Sequence, residues 1–295
     1  MRKVESIGVS CELGLIQRHC NVETVGLFRF GFAPFDGLIR ALDDKFADVG
    51  SLGALGTFTG SSLEYNSIHR DYGFEFHTGH FADMNSEAEV LEKMSAHFRF
   101  LARKLMSKLG NGSRLFVYRP ESPVPSPESA LRLSDAMCRF GQPVLLWVEL
   151  TDDPAKFGTA EWTVPGRVIT GYLDWFAKVN YAAAMPFDYW VKMLQAGVEL
   201  WEASPAKFEA EQGAARRAKR VGNHKRAFEI WAGLFERFPD RPEPFVEAAA
   251  LLSELKRRND ALELLEVGLA RLPGNPALMF EMTRMANTPS DLRFG

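Results

Sequence analysis

At roughly 100–200 residues per domain, a chain of 295 residues with 46% hydrophobic content predicts two domains and ample material for a core. A formal charge of -3 at pH 7 excludes the electrostatic footprint of a nucleic-acid or anionic-membrane binder. Three cysteines are too few for a disulfide framework and fit a reducing compartment. The longest clean apolar run, residues 144–148, is far short of the ~20 residues a bilayer crossing needs, and no signal-like stretch opens the chain, so no membrane span and a cytoplasmic location are expected.

Residues 4–9 read as a short buried strand. Ser10 then reads as the N-cap of a helix carrying Leu13 and Ile16 on one face, which places Cys11 at the first helical position. The positive end of a helix dipole biases a thiol toward thiolate, although Glu12 opposes this if it lies close. A small buried apolar residue is the bland alternative for Cys11. In the stretch LFRFGFAPFDGLIRAL, residues 27–42, Phe28, Phe30 and Phe32 alternate as a half-buried strand would. Ala33-Pro34 ends it before a helix starting near Asp36. Asp36 is then either that helix's N-cap or an acid that orients a catalytic imidazole. Residues 50–62 are rich in Gly, Ser and Thr without hydrophobic period, which predicts an exposed loop.

The densest polar cluster follows, NSIHRDYGFEFHTGHFAD, residues 66–83, with His69, His77 and His80 set among aromatics on a predicted loop. A cysteine hydrolase or transferase needs an imidazole that takes the thiol proton and a third group that fixes the ring tautomer. The cluster offers His80 or His77 as that base, with Asp36, Asp71 or Asp83 as orienter. Zinc shared by Cys11, His77 and His80 is the rival chemistry, but the spacing is weak, so no metal and no cofactor is assigned.

Residues 86–109 form an amphipathic helix, acidic at Glu87 and Glu89 and basic at Lys104 and Lys108, stopped by Gly110-Asn111-Gly112. A strand at 114–119, a Pro-rich loop, a helix at 127–140 and strands at 143–150 and 166–170 complete a mixed or parallel sheet flanked by helices. Cys20 and Cys138 are assigned to packing. Asp152-Asp153 at a strand end could hold a divalent metal for a nucleotide-sugar donor, but an Asp-Pro turn is the preferred reading. Asp174, Asn180 and Asp188 are further candidates for a third catalytic member.

After Ser204-Pro205 the chain is helical. Ala227 recurs as Ala261 and Pro239 as Pro273, both at the 34-residue period of the tetratricopeptide repeat, which this region resembles. The expected division is residues 1–203, α/β, and residues 204–295, helical repeats. The repeats offer a groove for a protein or peptide partner; a buttress for the first domain or a homodimer contact is equally consistent.

The N-terminal half also resembles a bacterial family of papain-like cysteine peptidases, a domain of unknown function. Its pattern is a Ser-x-Gly-x-x-Cys start, a Pro-Phe-Asp element, a Tyr-Gly-x-x-Phe stretch followed by His-Phe, and a Phe-Val-Arg strand. Here these look like Ser6, Gly8 and Cys11; Pro34-Phe35-Asp36; Tyr72-Gly73 through Phe76 with His80-Phe81; and Phe116-Val117-Tyr118-Arg119. Tyr118 interrupts the last motif. The resemblance implies a Cys–His mechanism without naming a substrate. A cysteine-bearing turn after the first strand is also similar to capsule-biosynthesis proteins thought to be acyltransferases, in which Arg119 or Arg70 would meet an acyl donor's phosphates; His69 is placed with them on the substrate side.

The expected function is accordingly a cysteine-nucleophile enzyme, an acyl or amide hydrolase or an acyltransferase, with surface-polysaccharide synthesis as one setting, acting on a small-molecule or peptide substrate. A non-catalytic adaptor and a nucleotide-sugar-dependent glycosyltransferase are the alternatives.

Overall fold

The computed structural model describes residues 1–8, 11–60, 62–121, 127–176 and 187–287. Ser10, Asn180 and residues 122–126 of the Pro-rich loop, all invoked above, lie outside them. The chain divides into two compact units, Met1–Ala206 and Lys207–Gly295.

The first unit is built on two sheets. One has five strands in the order β1 (Val4–Ser6), β6 (Leu115–Tyr118), β7 (Val144–Leu150), β9 (Val168–Leu173), β8 (Ala160–Val164). All pairs are parallel except β8 with β9. Side chains alternate across this sheet into two cores. Val4, Leu115, Val117, Val144, Leu146, Val148 and Ile169 face one way, where α1 (Glu12–His19) contributes Leu13 and Ile16 and α5 (Phe187–Glu202) contributes Trp190, Met193 and Leu194. Phe116, Tyr118, Leu145 and Trp147 face the other way, toward α2 (Phe35–Asp43), α3 (Glu87–Asn111) and α4 (Pro127–Cys138). A sheet covered on both faces explains why its strands read as unbroken apolar runs such as VLLWV.

The second sheet is antiparallel, in the order β2 (Gly31–Phe32), β5 (Phe74–Phe81), β4 (Glu64–His69), β3 (Leu55–Thr59). It corrects three expectations. The Phe28–Phe30–Phe32 alternation yields only a two-residue strand, because the Arg29 guanidinium donates to the carbonyls of Val22 and Thr24 and to the Glu23 carboxylate and coils the chain around itself. The stretch predicted as an exposed loop contains β3, an edge strand whose Gly56 and polar residues hide the period. The histidine cluster lies on β4 and β5 rather than on a loop: Phe74 and Phe76 point inward while Glu75 and His77 point outward, a period of two that the density of polar residues masks.

Helix ends follow local chemistry. Ser86 accepts from the Glu89 N–H while the Glu89 carboxylate takes the Ser86 N–H, a complete capping box at the start of α3, and Gly112 ends that helix in the left-handed region at φ 58°. Along α3, Lys108 reaches the Glu5 carboxylate of β1 at 2.5 Å; both groups are almost wholly enclosed, and burial holds the Lys108 ammonium below its ordinary pKa.

The second unit contains α7 (His224–Arg237), α8 (Glu243–Glu254), α9 (Arg258–Arg271), α10 (Pro276–Asn287) and most of α6 (Pro205–Arg220). Helices α7 and α9 have the same length and closely matched ends: their C-cap residues, Phe238 and Leu272, sit at φ/ψ of -125°/66° and -126°/71°. Ala227 and Ala261 are both fully buried at corresponding places. Ion pairs link like with like, Arg216 to Glu247 between α6 and α8 and Arg271 to Glu236 between α9 and α7. No helix among the described residues is long and apolar enough to cross a membrane.

Glu5→Leu strands the Lys108 cation in a low-dielectric site and is expected to cost about 3–5 kcal/mol of stability. The double variant Glu5→Leu/Lys108→Met removes both charges and is expected to recover most of it. Urea unfolding of the two variants checks this.

Candidate functional site

In an open α/β sheet the place for a ligand is the crevice beyond the carboxyl ends of the strands, where successive connections leave for opposite faces. Here that switch lies between β1 and β6. The chain leaving β1 enters α1 on one face, and the chain leaving β6 enters α4 on the other.

Four sequence segments meet there. A Cβ on Gly8 would come within 2.6 Å of the Tyr118 ring, so only glycine lets the chain leaving β1 pass beneath that residue. Tyr118 in turn stacks on Trp147, with ring centroids 5.1 Å apart, and receives the edge of Phe35 at 5.9 Å. The Pro34–Gly37 segment is held from behind by Tyr72-Gly73: any side chain at Gly37 would collide with the Tyr72 carbonyl, and a Cβ on Gly73 would touch the Pro34 ring at 3.2 Å. Gly8, Phe35 and Tyr118 are thus packed together, with Tyr72-Gly73 behind the Pro34–Gly37 segment.

Polar groups cap this assembly. Arg119, the residue after β6, pairs through Nε with the Glu12 carboxylate of α1 at 2.8 Å, and its guanidinium lies 4.2 Å from the Phe176 ring centroid, just beyond β9. One arginine therefore ties together the ends of β1, β6 and β9. Cys11 is the N-cap residue of α1 rather than its first helical residue, and its side chain makes no cap hydrogen bond. It is half-buried, and its thiol pKa is pushed up, first by burial and second by the adjacent Glu12 charge. The helix dipole favours the thiolate at such a position. Desolvation and a neighbouring carboxylate act against it, in the direction opposite to the expected bias toward thiolate.

The histidines occupy other surroundings. His69 is buried at 1% exposure: its Nε2 donates to the Asp48 carbonyl at 3.1 Å, its Nδ1 accepts from the Tyr72 N–H at 3.4 Å, and it stacks on Tyr72. Both nitrogens being so used, it braces the β4–β5 turn. His77 is exposed on β5, with Nδ1 3.2 Å from the Glu64 carboxylate. It also lines a depression of about 280 Å³ together with Arg29, Phe30, Phe76, His97 and Phe98. The Phe30 ring, packed at Gly14, stands between that depression and α1. His80 is half-buried near the end of β5 and donates its backbone N–H to Thr78. Among the described residues no hydrogen bond joins Cys11 to an imidazole.

The remaining candidates are placed as follows. Asp36 lies in the first turn of α2, whose N-cap is Pro34, and pairs at 3.0 Å with Arg132 of α4 while remaining largely exposed. Arg70 donates to the Gly53 carbonyl at 3.3 Å beside β3. Asp153 caps the short 3-10 turn Pro154–Lys156, accepting from the Ala155 N–H at 3.0 Å, which is the Asp-Pro turn anticipated for it. Cys20 and Cys138 are half-buried. Among the described residues no group of three or more His, Cys, Asp or Glu side chains is arranged to hold a metal ion.

The raised Cys11 pKa has a direct consequence: alkylation by iodoacetamide is expected to be slow at neutral pH and to rise through a midpoint above that of free cysteine. Glu12→Gln removes a negative charge beside the sulfur and leaves the Arg119 cation behind, so its alkylation is expected to be several-fold faster at pH 7.5. Quenched alkylation followed by peptide mapping measures both. No family model, curated protein or solved structure matches this chain.

Proposed function

We propose that the first unit is a cysteine-nucleophile enzyme, an acyl or amide hydrolase or acyltransferase, whose substrate enters the crevice between the ends of β1 and β6. The observation that carries this reading is the convergence of Gly8, Phe35 and Tyr118 around the backbone that delivers Cys11, with Arg119 beside it. The N-terminal N–H groups of α1 are suited to an oxyanion, and the Arg119 guanidinium paired with Glu12 is suited to an anionic donor or acceptor group.

Burial and Glu12 disfavour the Cys11 thiolate. Each tenfold loss in thiolate fraction at neutral pH returns only about threefold in intrinsic nucleophilicity. Activation therefore belongs to the complex with substrate. An imidazole from β5, His80 or His77, takes the proton in that complex, since catalytic hydrogen bonds often tighten only when substrate is present. Asp36 is the orienter proposed on sequence grounds, and Arg119 is the residue on the substrate side; His69, bonded internally through both nitrogens, and Arg70, held beside β3, have other roles. The helical repeats present a surface for a protein partner.

A second reading has its own support. The raised thiol pKa and the lack of an imidazole hydrogen bond to Cys11 among the described residues suit a ligand-binding protein that keeps the fold without the chemistry.

Cys11→Ala is expected to abolish turnover of acyl thioesters without lowering the melting temperature; retained turnover contradicts the enzyme. Replacing the true base by Gln, His80→Gln or His77→Gln, is expected to reduce kcat/KM by about 10²–10⁴-fold and to flatten the acid limb of the pH–rate profile. Indifference to both substitutions favours the binding protein.

A further inference from the structure

The two-residue strand β2 pairs with β5 at Glu75 and Phe76 only, so the next residues of β5 have no strand beside them on that side among the described residues. Residues 24–30 and one stripe of α3 bound the depression of about 280 Å³ there instead. Met94, His97, Phe98 and Leu101 form that stripe, at the i, i+3, i+4, i+7 spacing of a core-facing helix surface, and His97 stands where an apolar residue would be expected. Phe76 and Phe98, with ring centroids 4.3 Å apart, and Phe30 supply aromatic walls, and the exposed imidazoles of His77 and His97 line the depression with them.

One polar group among these is left unsatisfied. Arg29 is 9% exposed, and its guanidinium lies 4.9 Å from the Phe30 ring centroid. Its Nη1 donates to the Glu23 carboxylate and the Thr24 carbonyl and its Nη2 to the Val22 carbonyl, so those nitrogens are engaged inside the chain. Its Nε–H is buried and has no partner among the described residues. A buried cationic donor without an acceptor is costly, and an acceptor arriving from outside removes that cost. The Glu23 carboxylate that balances the charge is 63% exposed, where solvent screens it, so the enclosed guanidinium still favours an anion. We infer that this depression binds a small aromatic carboxylate, whose oxygen accepts from the Arg29 Nε–H while its ring lies among Phe30, Phe76, Phe98 and the His97 imidazole. Sites for drug-sized ligands run from about 300 to 1,000 Å³, and a smaller one limits the occupant to about one ring. A charged oxygen suits a cationic donor better than a neutral one does, and aromatic walls suit a flat ring better than a chain. Nothing in this binding depends on Cys11.

Benzoate is the probe, added to full-length protein with isotope-labelled methionine methyl groups. The Met94 methyl signal, identified by its loss in Met94→Leu, is expected to move saturably with a Kd of about 0.1–1 mM, as a ligand of this size allows, while Met285 in the second unit stays unmoved. Benzamide, the same ring with a neutral acceptor, is expected to bind about tenfold or more weakly. Arg29→Lys keeps a cation without the Nε–H and is expected to match that loss; the benzamide comparison uses unaltered protein and stands where that variant does not fold. His97→Ala leaves the bonds of Arg29 in place and is expected to weaken benzoate several-fold at an unchanged melting temperature. Absence of a saturable Met94 shift up to about 10 mM benzoate overturns the site, and equal affinity for benzamide overturns the contact between carboxylate and Arg29. Unchanged affinity in His97→Ala overturns the placement of the ring.

Discussion

A sheet buried on both faces can meet a substrate only at its ends. In the first unit the side chains of β6 and β7 are divided strictly between two cores, so neither face offers a polar surface. Everything chemical is left to the residues that follow the strands: Gly8 and Cys11 after β1, Arg119 after β6, Asp152 and Asp153 after β7, Trp175 and Phe176 after β9. The topology then sets β1 and β6 apart as neighbouring parallel strands whose following helices, α1 and α4, pack on opposite faces. The second sheet serves their ends indirectly. Through Tyr72 and Gly73 it backs the Pro34–Gly37 turn, which brings Phe35 against Tyr118.

Electrostatics at these strand ends are governed by the Glu12–Arg119 pair. Both side chains are mostly enclosed, where a charge without compensation is expensive, so each holds the other in place. Glu12 of the pair also adds to what burial does at Cys11, since a carboxylate beside the sulfur disfavours a second negative charge. A thiol that rests protonated is protected from adventitious oxidation, whose rate follows thiolate character.

Much of this was legible in the amino-acid sequence, for physical reasons that differ by element. The parallel strands were readable because burial on both faces writes continuous apolar runs, α3 because its cap and charge gradient are local, and the repeats because Ala227 and Ala261 must be small where helices cross. The antiparallel sheet was less readable. Its strands are short and half-exposed, and the polar outward positions of β4 and β5 are the same residues that made the segment look like a loop. At Cys11 the local signal pointed the wrong way. A dipole argument uses only the helix, whereas the pKa is decided by the depth at which tertiary packing sets the sulfur. The Arg119–Glu12 pair and the Tyr118–Gly8 contact join residues far apart in the chain, and no spacing rule predicts either.

The central claim is that position in the fold, and not exposure, makes one cysteine reactive toward acyl groups. All three cysteines are half-buried, so accessibility alone does not distinguish them. The most direct measurement is the distribution of acyl adducts over Cys11, Cys20 and Cys138 after brief treatment with a small acyl thioester, read by intact mass and peptide mapping. The account predicts adducts confined to Cys11. Adducts spread over the three residues, or confined to Cys20 or Cys138, would contradict it.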